Sequence, residues 1–320
     1  MNTESQSITP KVQWVEITED NSEQRLDNFL ITRLKGVPKS CIYRIVRKGE
    51  VRVNKGRVDI KYRLVTGDIV RIPPVRQAEN TGEAPPISKS LADRLKQQVL
   101  FEDDVLIVVN KPAGFAVHGG SGIDSGIIES LRKIYPALHF LELVHRLDRD
   151  TSGCLLIAKK RSALRSLHGQ FRDDIVSKTY LALLSGRWAK KKMTVNQPLQ
   201  KNVSKGGERI VVISPQGKES ETLFTRLKLY KDATLVEASP KTGRTHQIRV
   251  HAAFMSHPII GDSRYGFDET NKNFRNRGHK HMFLHAKTLE FQHPVSGEKV
   301  RFSAPIPQHF NDYIDHEEQI

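Results

Sequence analysis

Cysteine is nearly absent from this chain: Cys41 and Cys154 are the two among 320 residues. Two thiols cannot build a disulfide framework, and neither belongs to a CxxC pair with metal-ligand spacing. Long apolar runs are missing as well, since no stretch approaches the ~18–20 residues that a membrane-spanning helix needs. The opening residues, MNTESQSITPKVQWV, show neither the basic nor the apolar region of a secretory signal. A cytoplasmic protein with no membrane partner is expected.

Acidic residues are the third shortage. There are 36 Asp and Glu against 51 Lys and Arg, a net charge of +15, and the pI is near 9.8. Such an excess favours a polyanionic partner, because each phosphate neutralised releases condensed counterions. Composition names that class of partner and goes no further.

What is present is apolar residue enough for real cores, 38%, in a chain long enough for two domains of unequal size. Residues 1–20 read as a flexible tail. From Glu23 the pattern turns helical, with Leu26, Phe29, Leu30 and Leu34 at intervals of three and four. A second short helix follows Pro38, with Ile42, Ile45 and Val46 inward and Gly49 as its stop. Its other side carries Lys39, Tyr43, Arg44, Arg47 and Lys48. Val51 and Val53 lead into the turn Asn54-Lys55-Gly56-Arg57, and Gly67-Asp68 precedes a strand from Ile69 to Ile72. Two helices with a basic face and a small hairpin resemble the S4 RNA-binding domain, assigned here to residues 21–84. Most charge runs are merely solvated faces. The concentration of cations on one short helix favours RNA contact instead, through Arg25, Lys39, Arg44, Arg47, Lys48, Lys55 and Arg57. Pro73-Pro74 and Pro85-Pro86 bracket polar sequence, and residues 85–97 are taken as a linker. A second domain, 98–320, follows with alternating strands and helices.

That domain opens with an apolar strand, Val105 to Val109, and the abrupt turn Asn110-Lys111-Pro112-Ala113-Gly114. Further on, Arg146, Asp148, Arg149 and Asp150 crowd between Leu143-Val144 and the apolar strand Cys154 to Ala158. Charges wedged there are costly unless they are paired or a site needs them. A glycosidase-type pair from Asp148 and Asp150 is disfavoured, because such carboxyls stand ~5–9.5 Å apart across the scissile bond and usually come from separate segments. Ser177 to Leu184 reads as a strand ending at Gly186, and Tyr180 shares a face with Ala182 and Leu184, where it would serve equally as core. In Pro240 to His251, Gly243 breaks a strand and Thr245 is the expected N-cap of a helix reaching about Met255. Arg249, one turn in and beside small residues, suits a partly buried arginine seeking a carboxylate. His279, His281 and His285 share no ligand spacing with Cys or carboxylate, so surface or RNA-facing histidines are expected and no metal. Cys154 reads as an inert buried thiol, and Lys190-Lys191-Lys192 as a solvated turn.

Taken together, NKPAG, HRLDRDTSG, SKTY and GRTHQIRVH, in that order behind an S4-like module, resemble the RluA-type family of pseudouridine synthases. The resemblance spans roughly residues 23–306, and no family motif is broken. It implies an α/β (α+β) core around a mixed, largely antiparallel sheet. It also implies isomerisation of uridine to pseudouridine in large-subunit (23S) ribosomal RNA or its assembly intermediate, by a monomer. The family's nucleophilic aspartate falls on Asp148, its tyrosine on Tyr180 and its aspartate-pairing arginine on Arg249. Arg146 and Arg244 join the expected RNA contacts. Arg146 would fill the stack that an extruded base vacates or, equally, pair with Asp150. No metal or cofactor is called for, because an isomerisation leaves composition unchanged. Two rivals stand beside this reading: a synthase acting on tRNA, and a non-catalytic S4-type ribosome-assembly factor, which would need no acid at Asp148.

Overall fold

The computed structural model describes residues 11–34, 36–75, 89–119, 126–138, 140–203 and 209–316. The chain divides into two compact units, Met1–Pro86 and Ile87–Ile320. Among the described residues no helix is long and apolar enough to cross a membrane.

In the first unit, β1 (Gln13–Glu16), α1 (Leu26–Arg33), α2 (Lys39–Arg47), β2 (Arg52–Val53) and β3 (Ile69–Ile72) follow one another. The apolar stripe of α1 and the inward face of α2 bury Leu26, Leu30, Ile42 and Ile45 against Val51, Val53, Val70 and Ile72. Gly49 takes a left-handed φ of +70°, and the Arg57 side chain occupies the space a Cβ would fill. Only glycine ends α2 there without strain. The expected tail over 1–20 needs correction. Residues 1–10 lie outside the described residues, but Gln13–Glu16 pairs antiparallel with Ile69–Ile72 in a sheet of order β1-β3-β2. Side chains of β1 are mostly exposed, so no apolar alternation marks it, and backbone pairing makes the strand.

The second unit begins with α3 (Lys89–Lys96), where the sequence suggested linker. Leu95 of this helix is buried with Ile107 and Val109, and that burial holds the segment helical. After it come β4 (Val99–Glu102), β5 (Leu106–Lys111), α4 (Ile127–Ile134), β6 (Glu142–Leu143), β7 (Ser152–Ala158), α5 (Arg161–Arg172) and β8 (Ser177–Ser185). The chain continues through β9 (Lys192–Asn196), the ribbon β10 (Leu199–Val203) and β11 (Arg209–Ile213), β12 (Glu221–Leu229) and β13 (Ala233–Pro240). It closes with α6 (Gln247–Phe254), α7 (Asp268–Asn276), β14 (Leu284–Gln292), β15 (Lys299–Ser303) and α8 (Gln308–His316).

Ten of these strands form one sheet, β4-β5-β7-β14-β8-β13-β12-β9, with β15 on β14 and β6 on β7. Among the described strands the β7–β14 pair alone is parallel, over two residue pairs, Ser152 with His285 and Gly153 with Ala286. Two antiparallel halves therefore meet at a short parallel seam. Continuous apolar runs in β5 and β7 reflect burial on both faces. Leu106, Val108 and Leu156 pack with Ala163 and Leu167 of α5. Ile107, Val109, Leu155 and Ile157 pack with Ile127 and Leu131 of α4 on the opposite face. Across the seam, Ala182, Leu184, Phe224 and Val236 hold Ile248 and Ala252 of α6 against the sheet.

Candidate active site

The seam is where chemistry-bearing side chains collect, and Gly153 makes it possible. Its φ is +109°, and an added Cβ would run into the backbone of Ala286 on β14. Between β6 and β7 the segment 144–151 runs as a loop beside this seam. Lys111, fully buried at the end of β5, clamps that loop. Its Nζ donates to the carbonyls of Pro112 (2.9 Å), Phe115 (2.8 Å) and Arg149 (2.8 Å). The Gly114 N–H reaches the same Arg149 carbonyl at 2.9 Å. Burial pushes the Lys111 pKa down to about 7, against the pull of Asp150 and Asp148. Three donated bonds need all three ammonium protons, so the clamp belongs to the charged form.

The loop and the start of α6 line a cleft of about 600 Å³, and Asp148, Tyr180 and Arg249 all face it. Arg249 Nη1 donates to Asp148 Oδ2 at 2.9 Å; the Asp148 side chain is 28% exposed and that of Arg249 8%. Arg249 also makes two bonds that the sequence reading missed, Nε to Asp262 Oδ2 at 2.7 Å and Nη2 to Asp262 Oδ1 at 2.8 Å. Burial works against charge on Arg249, but the bonds and charge of Asp262, then of Asp148, outweigh it and raise its pKa. Asp262 is held below the ordinary carboxylate range in the same way: burial opposes ionisation, and Arg249 with the backbone N–H groups of Arg264 and Tyr265 overcomes it. An acid following Gly261 and preceding Ser-Arg-Tyr was a faint signal in the sequence.

Helix α6 starts later than expected. Its N-cap is His246, with a left-handed φ of +53°, and not Thr245. The reason is Gln247, whose Oε1 accepts from Thr242 Oγ1 (2.7 Å) and the Arg244 N–H (3.0 Å) and so takes over the pinning of this turn. His246 Nε2 lies 3.8 Å from Asp148 Oδ1, and its Nδ1 lies 2.8 Å from the Tyr265 hydroxyl. Tyr180 packs against the clusters on both sides of the seam. Burial first, and then the Asp148 charge, hold its phenol pKa well above the ordinary value, so the hydroxyl keeps its proton at neutral pH.

Of the arginines expected near RNA, Arg146 is exposed in the cleft wall and makes no ion pair among the described residues. Asp150 pairs with Arg149 at 3.2 Å instead. Arg244 lines the same cleft, its Nε donating to the Glu219 carbonyl at 3.0 Å. In the first unit Lys39, Arg44, Arg47, Lys48, Lys55 and Arg57 are exposed. Arg25 is committed elsewhere, to the buried carboxylate of Asp27 through Nε at 3.1 Å and Nη2 at 2.5 Å. His285 corrects another expectation. It is completely buried, with Nδ1 2.9 Å from Ser152 Oγ across the parallel pair, and faces neither surface nor RNA. Cys154 is buried, and burial raises its thiol pKa to about 11.

The RNA pseudouridylate synthase family matches residues 105–254, and the S4 domain matches residues 24–70. Ribosomal large subunit pseudouridine synthase C of Haemophilus influenzae is 56% identical over 301 residues, 93% of either chain. The protein of that name from Escherichia coli is 55% identical over 304 residues, covering 94% of this chain and 95% of its own. Among solved structures, human RNA pseudouridylate synthase domain containing 1 superposes with a TM-score of 0.57 at 30% identity. That match covers 69% of this chain and 86% of the human one. With its seam loop, mostly antiparallel sheet and S4 module in place, this chain belongs to the RluA-type pseudouridine synthases, a family of isomerases, and is a homologue of ribosomal large subunit pseudouridine synthase C.

Proposed function

We propose that this enzyme converts uridines of large-subunit (23S) ribosomal RNA, free or in an assembly intermediate, to pseudouridine in the cytoplasm, with Asp148 as the reacting carboxylate. One observation carries the reading. Asp148 stands at the cleft wall with Oδ2 tied to buried Arg249, while Oδ1 takes no hydrogen bond among the described residues, His246 Nε2 standing 3.8 Å from it. Arg249 braces the carboxylate from behind, and its other oxygen stays on the cleft side. Attack at uracil C6, attack at ribose C1′ and removal of the C2′ proton all use this one oxygen. In each case the N1–C1′ bond breaks, the uracil turns, and C5 bonds to C1′; C5 gives up its proton and N1 gains one.

Tyr180, neutral and seated beside Asp148, presents a ring on which the uracil stacks and a hydroxyl that carries a proton. Arg146, exposed in the same wall, fills the stack the uridine leaves, which offsets part of the extrusion cost of ~a few kcal/mol. Lys39, Arg44, Arg47 and Lys48 of the S4 domain hold phosphates of the RNA. Mapping pseudouridine in total RNA from cells with and without this protein tests the proposal. Loss of specific sites in large-subunit RNA is expected, and loss confined to tRNA would overturn it.

A further inference from the structure

Both groups that flank Asp148 are themselves held by one four-residue turn, Asp262 to Tyr265. Asp262 grips Arg249 through the two bonds at 2.7 and 2.8 Å, and the Tyr265 hydroxyl meets His246 Nδ1 at 2.8 Å. The turn is closed on itself, because Asp262 Oδ1 also accepts the N–H groups of Arg264 (2.9 Å) and Tyr265 (3.1 Å). It is anchored to α7 as well. Asn271, buried, donates from Nδ2 to the Asp262 carbonyl at 2.9 Å and accepts the Gly261 N–H at 2.8 Å. Finally, the Tyr265 ring lies under the Arg249 guanidinium, 5.2 Å from ring centre to Cζ.

The hydrogen-bond inventory of Tyr265 fixes more than position. Its oxygen accepts the Val211 N–H from β11 at 2.9 Å. A phenol has one proton, and among the described residues the acceptor within reach of it is His246 Nδ1. A neutral imidazole that accepts at Nδ1 carries its proton at Nε2, and Nε2 is the atom facing Asp148 Oδ1 at 3.8 Å. We infer that Asp262 and Tyr265 are positioning residues of the isomerisation: Asp262 aims Arg249 at one oxygen of Asp148, and Tyr265 sets the His246 tautomer that directs an N–H toward the other. A residue such as His246 adopts a left-handed backbone at some cost, and such conformations persist where surroundings over-determine them. Here the surroundings are Tyr265 and Gln247.

This inference rests on the reading of Asp148 as the reacting carboxylate. The test compares full-length wild type, Tyr265→Phe, Asp262→Asn and Asp148→Asn on a stem-loop RNA that the wild type modifies. Single-turnover rate, RNA affinity and the ¹⁵N imidazole spectrum of His246 are measured, its signals assigned with His246→Gln. Tyr265→Phe keeps the ring over Arg249 and removes the hydroxyl alone, so it carries the test even if Asp262→Asn does not fold. The expected result is a rate lower by ~10–100-fold, unchanged RNA affinity, and an Nδ1 signal moved from its wild-type hydrogen-bonded position. A folded Tyr265→Phe protein at wild-type rate overturns the inference, and so does a slow one whose His246 signals have not moved. Turnover by Asp148→Asn would instead remove the reading of Asp148 itself, whatever Tyr265→Phe does.

Discussion

Arg249 holds Asp262 with two hydrogen bonds, 2.7 and 2.8 Å, and Asp148 with one of 2.9 Å. Its removal therefore takes the guanidinium from a carboxylate with no exposure, leaving that group only its backbone N–H bonds among those described, as well as from one that water reaches. Arg249→Ala is expected to cost ~3–5 kcal/mol of stability, as when one partner of a buried pair is lost, and to abolish turnover. Arg249→Lys should recover part of the stability and little of the activity, since an ammonium cannot supply the two-pronged grip on Asp262. Denaturant titration beside single-turnover kinetics checks both. An Arg249→Ala protein as stable as wild type would show that Asp262 does not depend on this arginine.

Asp148→Asn keeps the shape of the side chain and removes the nucleophile or base. Isomerisation should fall to background while folding and RNA association persist, because the S4 face and the Lys111 clamp do not involve the carboxylate group. Measurable turnover by the purified variant, above trace wild type, would reject Asp148.

Acid should weaken the fold before it reaches the carboxylates. His145, His285 and His309 each have a pKa lowered to about 4, burial being the first cause in all three. In the unfolded chain each imidazole takes its proton near pH ~6.5. Between those values the unfolded state binds more protons, so stability is full above about pH 6.5 and falls as pH drops toward 4. Each histidine contributes a slope of at most ~1.4 kcal/mol per pH unit. Urea titrations at neutral pH and at about pH 5 measure the slope. His145→Gln should flatten it by one histidine's share, since His145 Nε2 serves as acceptor for the Leu156 N–H. Stability independent of pH across this window would mean that water reaches these rings.

On the S4 domain, replacing Lys39, Arg44, Arg47 and Lys48 by Ala should reduce the slope of log affinity against log salt by ~0.7–0.9 for each phosphate left without its cation. Arg25→Ala should behave differently. Arg25 is engaged with buried Asp27, so its loss should destabilise the domain more than it changes the salt slope. Filter binding across a salt series separates the two, and an unchanged slope in the fourfold variant would move the electrostatic grip elsewhere.

Local physics was legible in the sequence. The stripe of α1, the inward face of α2 and the doubly buried runs of β5 and β7 follow from periodicity, which records burial residue by residue. Asp148 was readable as one of several charges wedged between apolar strands and Arg249 as an arginine beside small residues, whereas Tyr180 read equally as core and was singled out by the family resemblance; the three line one cleft. Other features have no local signature. Asp148 and Arg249 are 101 positions apart and Arg249 and Asp262 are 13 apart, so their meeting depends on how α6 packs over the seam. β1 forms by backbone pairing under exposed side chains, and α3 is held helical by the burial of Leu95. His285 looked like its exposed neighbour His281, yet the parallel pairing of β14 with β7 buries it against Ser152. Sequence alone determined which segments could be helix, strand or reactive loop, because those preferences act within a few residues. The tertiary structure decided which charge answers which, because a buried ion's partner is set by the strands and helices that happen to flank it.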